Sequence, residues 1–240
     1  MSRFFSFGCS FTHYLWPTWS DILKDNFDYY ENWGRIGAGN HYIFNSVVEC
    51  NAKHTLTDND TVIIMWTNVL REDRYLQNDW KCTGNIFSQN FYDPTFIEKY
   101  ITTRGCYVRD IAYIVAIDKL LSSVGCNYIF LSMVDMSNPH NYENQNFSEY
   151  IEDLLGLYSD TLEKIRPSVH SVLFNYDWTS RGKRDDYHPT PVEHLEYIEK
   201  VMPEFNISDS TLDWVNNYRY NPNSKYFEEY GREYSPKGRI

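Results

Sequence analysis

A serine stands at the mouth of the first apolar strand, in Phe4-Phe5-Ser6-Phe7-Gly8-Cys9-Ser10-Phe11-Thr12. Far along the chain comes Asp185-Asp186-Tyr187-His188-Pro189. A hydroxyl is a poor nucleophile until a base takes its proton, and an imidazole is a good base once a carboxylate orients it. Ser10, His188 and an aspartate are therefore the parts of an acyl-transfer site. Cys9 is a second candidate nucleophile, since a thiolate needs less activation. As the neighbour of Ser10 in one turn it points elsewhere, and it is expected to pack beneath that turn. His188 and His194 do not have a zinc-ligand spacing, so no metal is assigned. Gly34-x-x-Gly37-x-Gly39 is not a dinucleotide fingerprint, and no cofactor is expected.

The elements that must hold these residues alternate. Arg3–Phe7 reads as a strand, and the stretch from Pro17 to Phe27 as a helix burying Trp19, Ile22, Leu23 and Phe27. A short strand from Tyr29 to Trp33 ends in a glycine-rich turn. A helix from His41 to Asn51 follows, pointing Ile43, Phe44, Val47 and Val48 to the core. The run from Thr61 to Trp66 is continuously apolar, as in a strand buried on both faces. Asn68 to Asp93 reads as a long surface excursion. Thr95 to Val124 is helical in two pieces broken near Gly105. A strand from Asn127 to Met133, a helix from Phe147 to Ile165 and a last strand from Val169 to Phe174 complete the pattern. Thr190-Pro191-Val192-Glu193 is a capping box opening a helix to Met202.

Five strands alternating with helices imply an α/β fold, with a parallel sheet covered by helices in three layers. Ligands bind such sheets at the carboxyl ends of the strands, where the turns after Phe7, Trp33 and Trp66 would meet. Residues 1–202 read as one domain. Residues 203–240 read as a polar, Tyr- and Asn-rich extension with one short helix from Ser210 to Tyr218.

A net charge of −11 argues against nucleic-acid or anionic-membrane partners, which need clustered Lys and Arg. No apolar run is long enough for a bilayer. Five scattered cysteines form neither a disulfide ladder nor a C-x-x-C pair, consistent with a reducing compartment. The opening residues lack a charged leader and apolar core, so a cytoplasmic location is expected, with release in a virion or by lysis left open. Aromatics make up 18% of the chain, including 21 tyrosines. That richness suits stacking on sugar rings, while codon bias in an AT-rich genome is the plainer account of it.

Four segments together resemble the ordered blocks of the SGNH (GDSL-type) hydrolases. They are Gly8-Cys9-Ser10-Phe11-Thr12, Gly37-Ala38-Gly39-Asn40, Trp66-Thr67-Asn68 and Asp185-Asp186-Tyr187-His188-Pro189. The likeness spans roughly residues 3–202, and the first block is similar to a G-C-S-F-T branch with bacterial and phage members. Cys9 stands where the family has Asp, and Trp66 and Val69 where it has the glycine and aspartate of G-x-N-D. The resemblance implies a flavodoxin-like three-layer fold with a five-stranded sheet. It also implies a serine esterase without cofactor, acting through an acyl-enzyme on a small-molecule or glycan ester. By its spacing the triad is Ser10, His188 and Asp185, with Asp186 the alternative acid. The oxyanion donors are the backbone of Ser10 and Gly37 and the side chain of Asn68. Trp66, which opens the third block, and Arg71, just after it, are read as substrate contacts; for Arg71, Glu72 and Arg74 a solvated loop is the plainer alternative. Two other functions stay open: an inactive glycan-binding or structural module, which the missing G-x-N-D residues motivate, and an O-acyltransferase. The oligomeric state is not legible.

Overall fold

The computed structural model describes residues 1–87, 91–136, 149–182 and 185–218. The chain is α/β, and among the described residues its parallel sheet has four strands. They are β1 (Arg3–Phe7), β2 (Tyr29–Asn32), β3 (Asp60–Trp66) and β6 (Asn127–Ser132), in the order β2-β1-β3-β6. Arg3 pairs with both Tyr29 and Asp60, and Thr61 pairs with Asn127. Every residue of β3 is buried, which is why its sequence is apolar without alternation. From β1 the chain goes first to one side and then to the other. The carboxyl ends of β1 and β3 therefore border the crevice where such sheets bind ligands.

Helices cover both faces. On β1, Ser6 accepts a hydrogen bond from Ser20 of α1 (Trp19–Leu23), and the Phe4 ring meets Trp19. Phe5, pointing the other way, packs on His54 of α2 (Asn40–His54). Within α2, Ile43 and Val47 are buried as expected, but Val48 is exposed. The break in the next helical stretch lies at Ile101 and Thr102, not at Gly105: α3 is Pro94–Tyr100 and α4 is Thr103–Val124. Gly105 sits in the first turn of α4, where its N–H donates to the Thr102 cap.

Two further elements differ from expectation. Val169–Phe174 is helix α7 and not a strand. Ser168 caps it, and Val169, Leu173 and Phe174 are buried at helical spacing. What occupies the fifth-strand place is a single parallel bridge from Ile165 to Phe130, with Arg166 N–H donating to the Phe130 carbonyl. The excursion after Asn68 is a β-hairpin, β4 (Arg71–Leu76) and β5 (Asp79–Asn85). Its two-residue turn, Gln77-Asn78, has positive φ at both positions, as tight hairpins require.

Helix α5 (Glu149–Leu157) leads into α6 (Ser159–Leu162). The expected start of this helix at Phe147 lies outside the described residues. Helix α8 (Pro191–Val201) begins in the expected capping box, with Thr190 and Glu193 bonded reciprocally. Helix α9 (Asp209–Asn217) buries Val215, and its Thr211 donates to Asp25 below α1. The rest of the extension, 219–240, lies outside the described residues. No helix among the described residues is long and apolar enough to cross a membrane.

Candidate active site

The turn after β1 is built for close approach. A Cβ on Gly8 would fall 2.1 Å from Thr12 Oγ1 and 3.1 Å from the Met65 carbonyl, so a side chain has no room. Thr12 N–H donates to the Cys9 carbonyl at 2.9 Å and closes the turn. The loop after β2 latches it. Asn32 Nδ2 donates to the Thr12 carbonyl at 2.8 Å, and Arg35 N–H donates to Gly8 at 3.1 Å. Cys9 is fully buried beneath the turn. Ser10 is 3% exposed, and its backbone N–H donates to no protein group among the described residues.

Ser10 Oγ lies 2.8 Å from His188 Nε2. His188 Nδ1 lies 2.6 Å from Asp186 Oδ1. A carboxylate beside Nδ1 holds the proton there, which leaves Nε2 as acceptor for the serine O–H. The carboxylate on the ring thus belongs to Asp186 and not to Asp185, which is exposed and bonds no atom of His188. The reason is local. Asp186 Oδ1 also accepts the His188 backbone N–H at 2.8 Å, so a two-residue Asx turn folds the carboxylate onto its own imidazole.

Aromatic rings fix this loop from the serine side. Tyr14 lies face-on to the imidazole, with centroids 3.9 Å apart and planes within 15°. Its hydroxyl donates to Asp186 Oδ2 at 2.5 Å. Trp16 Nε1 donates to the Pro189 carbonyl at 2.8 Å, and Phe11 meets His188 edge-on. Burial holds the His188 pKa below its ordinary value; Asp186 works against this shift and the charge of Arg71 adds to it. Burial alone would raise the Asp186 carboxyl, but hydrogen bonds from Tyr14 and from His188 outweigh it and the net shift is downward. The imidazole is therefore neutral, and the carboxylate ionised, at neutral pH.

The opposite rim is held by buried charge. Asp73 of β4 accepts the N–H groups of Gly39 and Tyr42 at 2.9 Å each, capping α2 from outside the helix. Asn40 pairs with the Thr67 backbone in both directions, at 2.8 and 2.9 Å, and donates to Asp110 of α4 at 2.7 Å. Arg109 bonds Asp110 and Glu72 and reaches the carbonyls of Val69 and Arg71. Burial raises the Asp110 carboxyl to about 7 in spite of Arg109 and Asn40.

Gly37 and Asn68 belong to this rim, and no hydrogen bond joins either to Ser10. Gly37, at φ 79°, is needed because a Cβ would sit 2.5 Å from the Cys82 carbonyl of β5. What approaches it closely is thus the hairpin. Its N–H has no protein acceptor among the described residues. Asn68 Oδ1 accepts the Leu70 N–H at 2.8 Å, and its Nδ2 has no partner among the described residues. Trp66, expected to touch substrate, is fully buried against Phe130 and belongs to the core. No cluster of three metal-ligating side chains occurs among the described residues.

No family model matches the sequence, and no curated protein matches it. Among solved structures, a candidate acylhydrolase of Bacteroides fragilis is similar over 89% of this chain and 88% of its own, at 14% identity and a TM-score of 0.42. The YxiM protein of Bacillus subtilis is similar over 86% of this chain, at 12% identity and a TM-score of 0.41. This chain spans about half (51%) of YxiM's length. Likenesses this distant carry no argument about chemistry, which rests on the geometry of the chain itself.

Proposed function

We propose that this chain is a serine hydrolase that cleaves carboxylic esters through an acyl-enzyme. The observation that carries the reading is the unbroken line from Ser10 Oγ to His188 Nε2, and from His188 Nδ1 to Asp186, at 2.8 and 2.6 Å. In the forward step Ser10 Oγ bonds the acyl carbon while its proton passes to His188 Nε2. Asp186 stays ionised and stabilises the imidazolium. Collapse of the tetrahedral intermediate expels the alcohol, which takes the proton from His188. Water then repeats the sequence, with the acid leaving and Ser10 restored.

The negative oxygen of each intermediate needs preorganised donors. The unused N–H groups of Ser10 and Gly37 and the amide of Asn68 are the candidates, each worth about 3–4 kcal/mol in such sites. Tyr14 serves as a positioning residue, since it touches both His188 and Asp186.

Hydrolysis of para-nitrophenyl acetate tests the proposal. Ser10→Ala is expected to abolish turnover above background, while Cys9→Ala retains much of it. The reverse result rejects Ser10 as nucleophile.

A further inference from the structure

Arg71 opens β4 and is half-buried. Its Nη1 donates to the Ala38 carbonyl at 3.1 Å, and its Nη2 lies 3.6 Å from Met133 Sδ. No carboxylate pairs with it among the described residues. Other arginines differ: Arg3, Arg74, Arg109, Arg166 and Arg181 each have a carboxylate oxygen within 2.7 Å, and Arg35 has one at 3.0 Å. In a chain with 33 acidic and 22 basic residues, carboxylates are plentiful. A half-buried guanidinium left without one has its charge uncompensated, and that needs a reason.

The two contacts fix its place. Ala38 follows Gly37 in the loop after β2. Met133 follows β6, and its sulfur also meets Thr67 Oγ1, at the end of β3. The guanidinium therefore lies at the carboxyl edge of the sheet. Its charge reaches His188 and disfavours the imidazolium, so it opposes proton transfer in the free protein. Binding of a negative group would cancel that opposition when substrate arrives. A carbonyl and a thioether occupy two of the five N–H donors, which leaves a fork suited to an oxyanion.

We infer that Arg71 receives an anionic oxygen group, such as a carboxylate, carried by the substrate near the scissile ester. The inference rests on the ester-hydrolase reading and adds the charge of the substrate to it. A purely structural Arg71 would only brace Ala38 and the hairpin.

The test compares kcat/KM for charged and neutral partners: para-nitrophenyl hemisuccinate against the butyrate, and para-acetoxybenzoate against its methyl ester. The wild-type protein is expected to prefer the anion in at least one pair. In Arg71→Met the anion-to-neutral ratio for that pair should fall about tenfold or more, and Arg71→Lys should recover part of it. A ratio that is unchanged in Arg71→Met, with both esters slowed together, overturns the inference and leaves a bracing role. Wild-type protein inert toward every ester breaks the hydrolase reading instead. Hemisuccinate binding by calorimetry then decides the point. Binding weakened about tenfold in Arg71→Met upholds the anion site, and equal or absent binding rejects it.

Discussion

Ser10 lies between two arms made of different materials. On the base side, neutral rings do the holding: Tyr14 lies on His188, Phe11 meets its edge, and Trp16 ties down Pro189. On the side of Gly37 and Asn68, the donor side in our proposal, buried carboxylates do it. Asp73 caps α2, Asp110 grips Asn40, and Glu72 shares Arg109 with Asp110. Stacking is weak per contact and engages neither ring nitrogen, so it leaves the imidazole free to change charge during turnover. Buried charge-assisted bonds are stiffer, and breaking one strands its partner in a poor solvent. The contrast suits the roles we propose, with a base that must change charge on one side and fixed dipoles on the other.

The sharpest break of the base arm is Asp186→Asn. It should lower kcat by about 10³–10⁴-fold, because an amide no longer fixes the Nδ1–H tautomer. Asp185→Asn should stay within about twofold of wild type, as surface changes do. Steady-state kinetics of the two variants side by side decides which carboxylate serves the histidine. An Asp186→Asn variant that stays, like Asp185→Asn, within about twofold of wild type would mean that the short Asp186 contact does no catalytic work.

The donor arm is probed by Asp110→Asn, which loses one of the acceptors binding Arg109 and Asn40. We expect a loss of about 2–3 kcal/mol in urea unfolding. The sign of its pH dependence follows from the raised carboxyl. A group titrating near 7 in the folded chain and near 3.8 when unfolded contributes stability fully at low pH and loses it as pH rises through 7. The gap between wild type and variant should therefore narrow from pH 5 to pH 8. A widening gap would contradict the assignment of a buried, proton-holding Asp110.

The smallest effect is expected from Tyr14→Phe, which keeps the ring on His188 and removes the hydroxyl from Asp186. A loss of about three- to tenfold in kcat/KM is expected. The acid limb of the pH profile, which reports His188 and should lie below 6.5 in the wild type, should move upward. A carboxylate freed of the tyrosine proton stabilises the imidazolium more strongly. An unmoved limb would reduce Tyr14 to packing.

What sequence reasoning reached, and what it missed, follows the same division. The Ser10 turn, the strand from Thr61 to Trp66 and the Thr190–Glu193 capping box were legible because each is written in neighbouring residues. Motif spacing favours Asp185 over Asp186, whereas the Asx turn within Asp186-Tyr187-His188 is a matter of backbone geometry. The hairpin was missed because its strands are charged and partly exposed, so they lack an apolar alternation; Gln77-Asn78 was the available signal. Val169–Phe174 has strand-like residues, yet the Ser168 cap and the spacing of its buried positions make it a helix. Asp73 and Asp110 act across tens of residues, on Gly39 and Asn40, and no local pattern announces such partners. Trp66 drew attention as an aromatic beside a motif, but its place in a strand buried on both faces already pointed to the core.

Ser10 is the nucleophile we propose, and covalent capture tests that most directly. A fluorophosphonate should attach once to the folded protein, at Ser10 by peptide mapping, and His188→Ala should suppress the reaction. A folded wild-type protein that stays unlabelled, or carries the adduct at Cys9, would contradict the account.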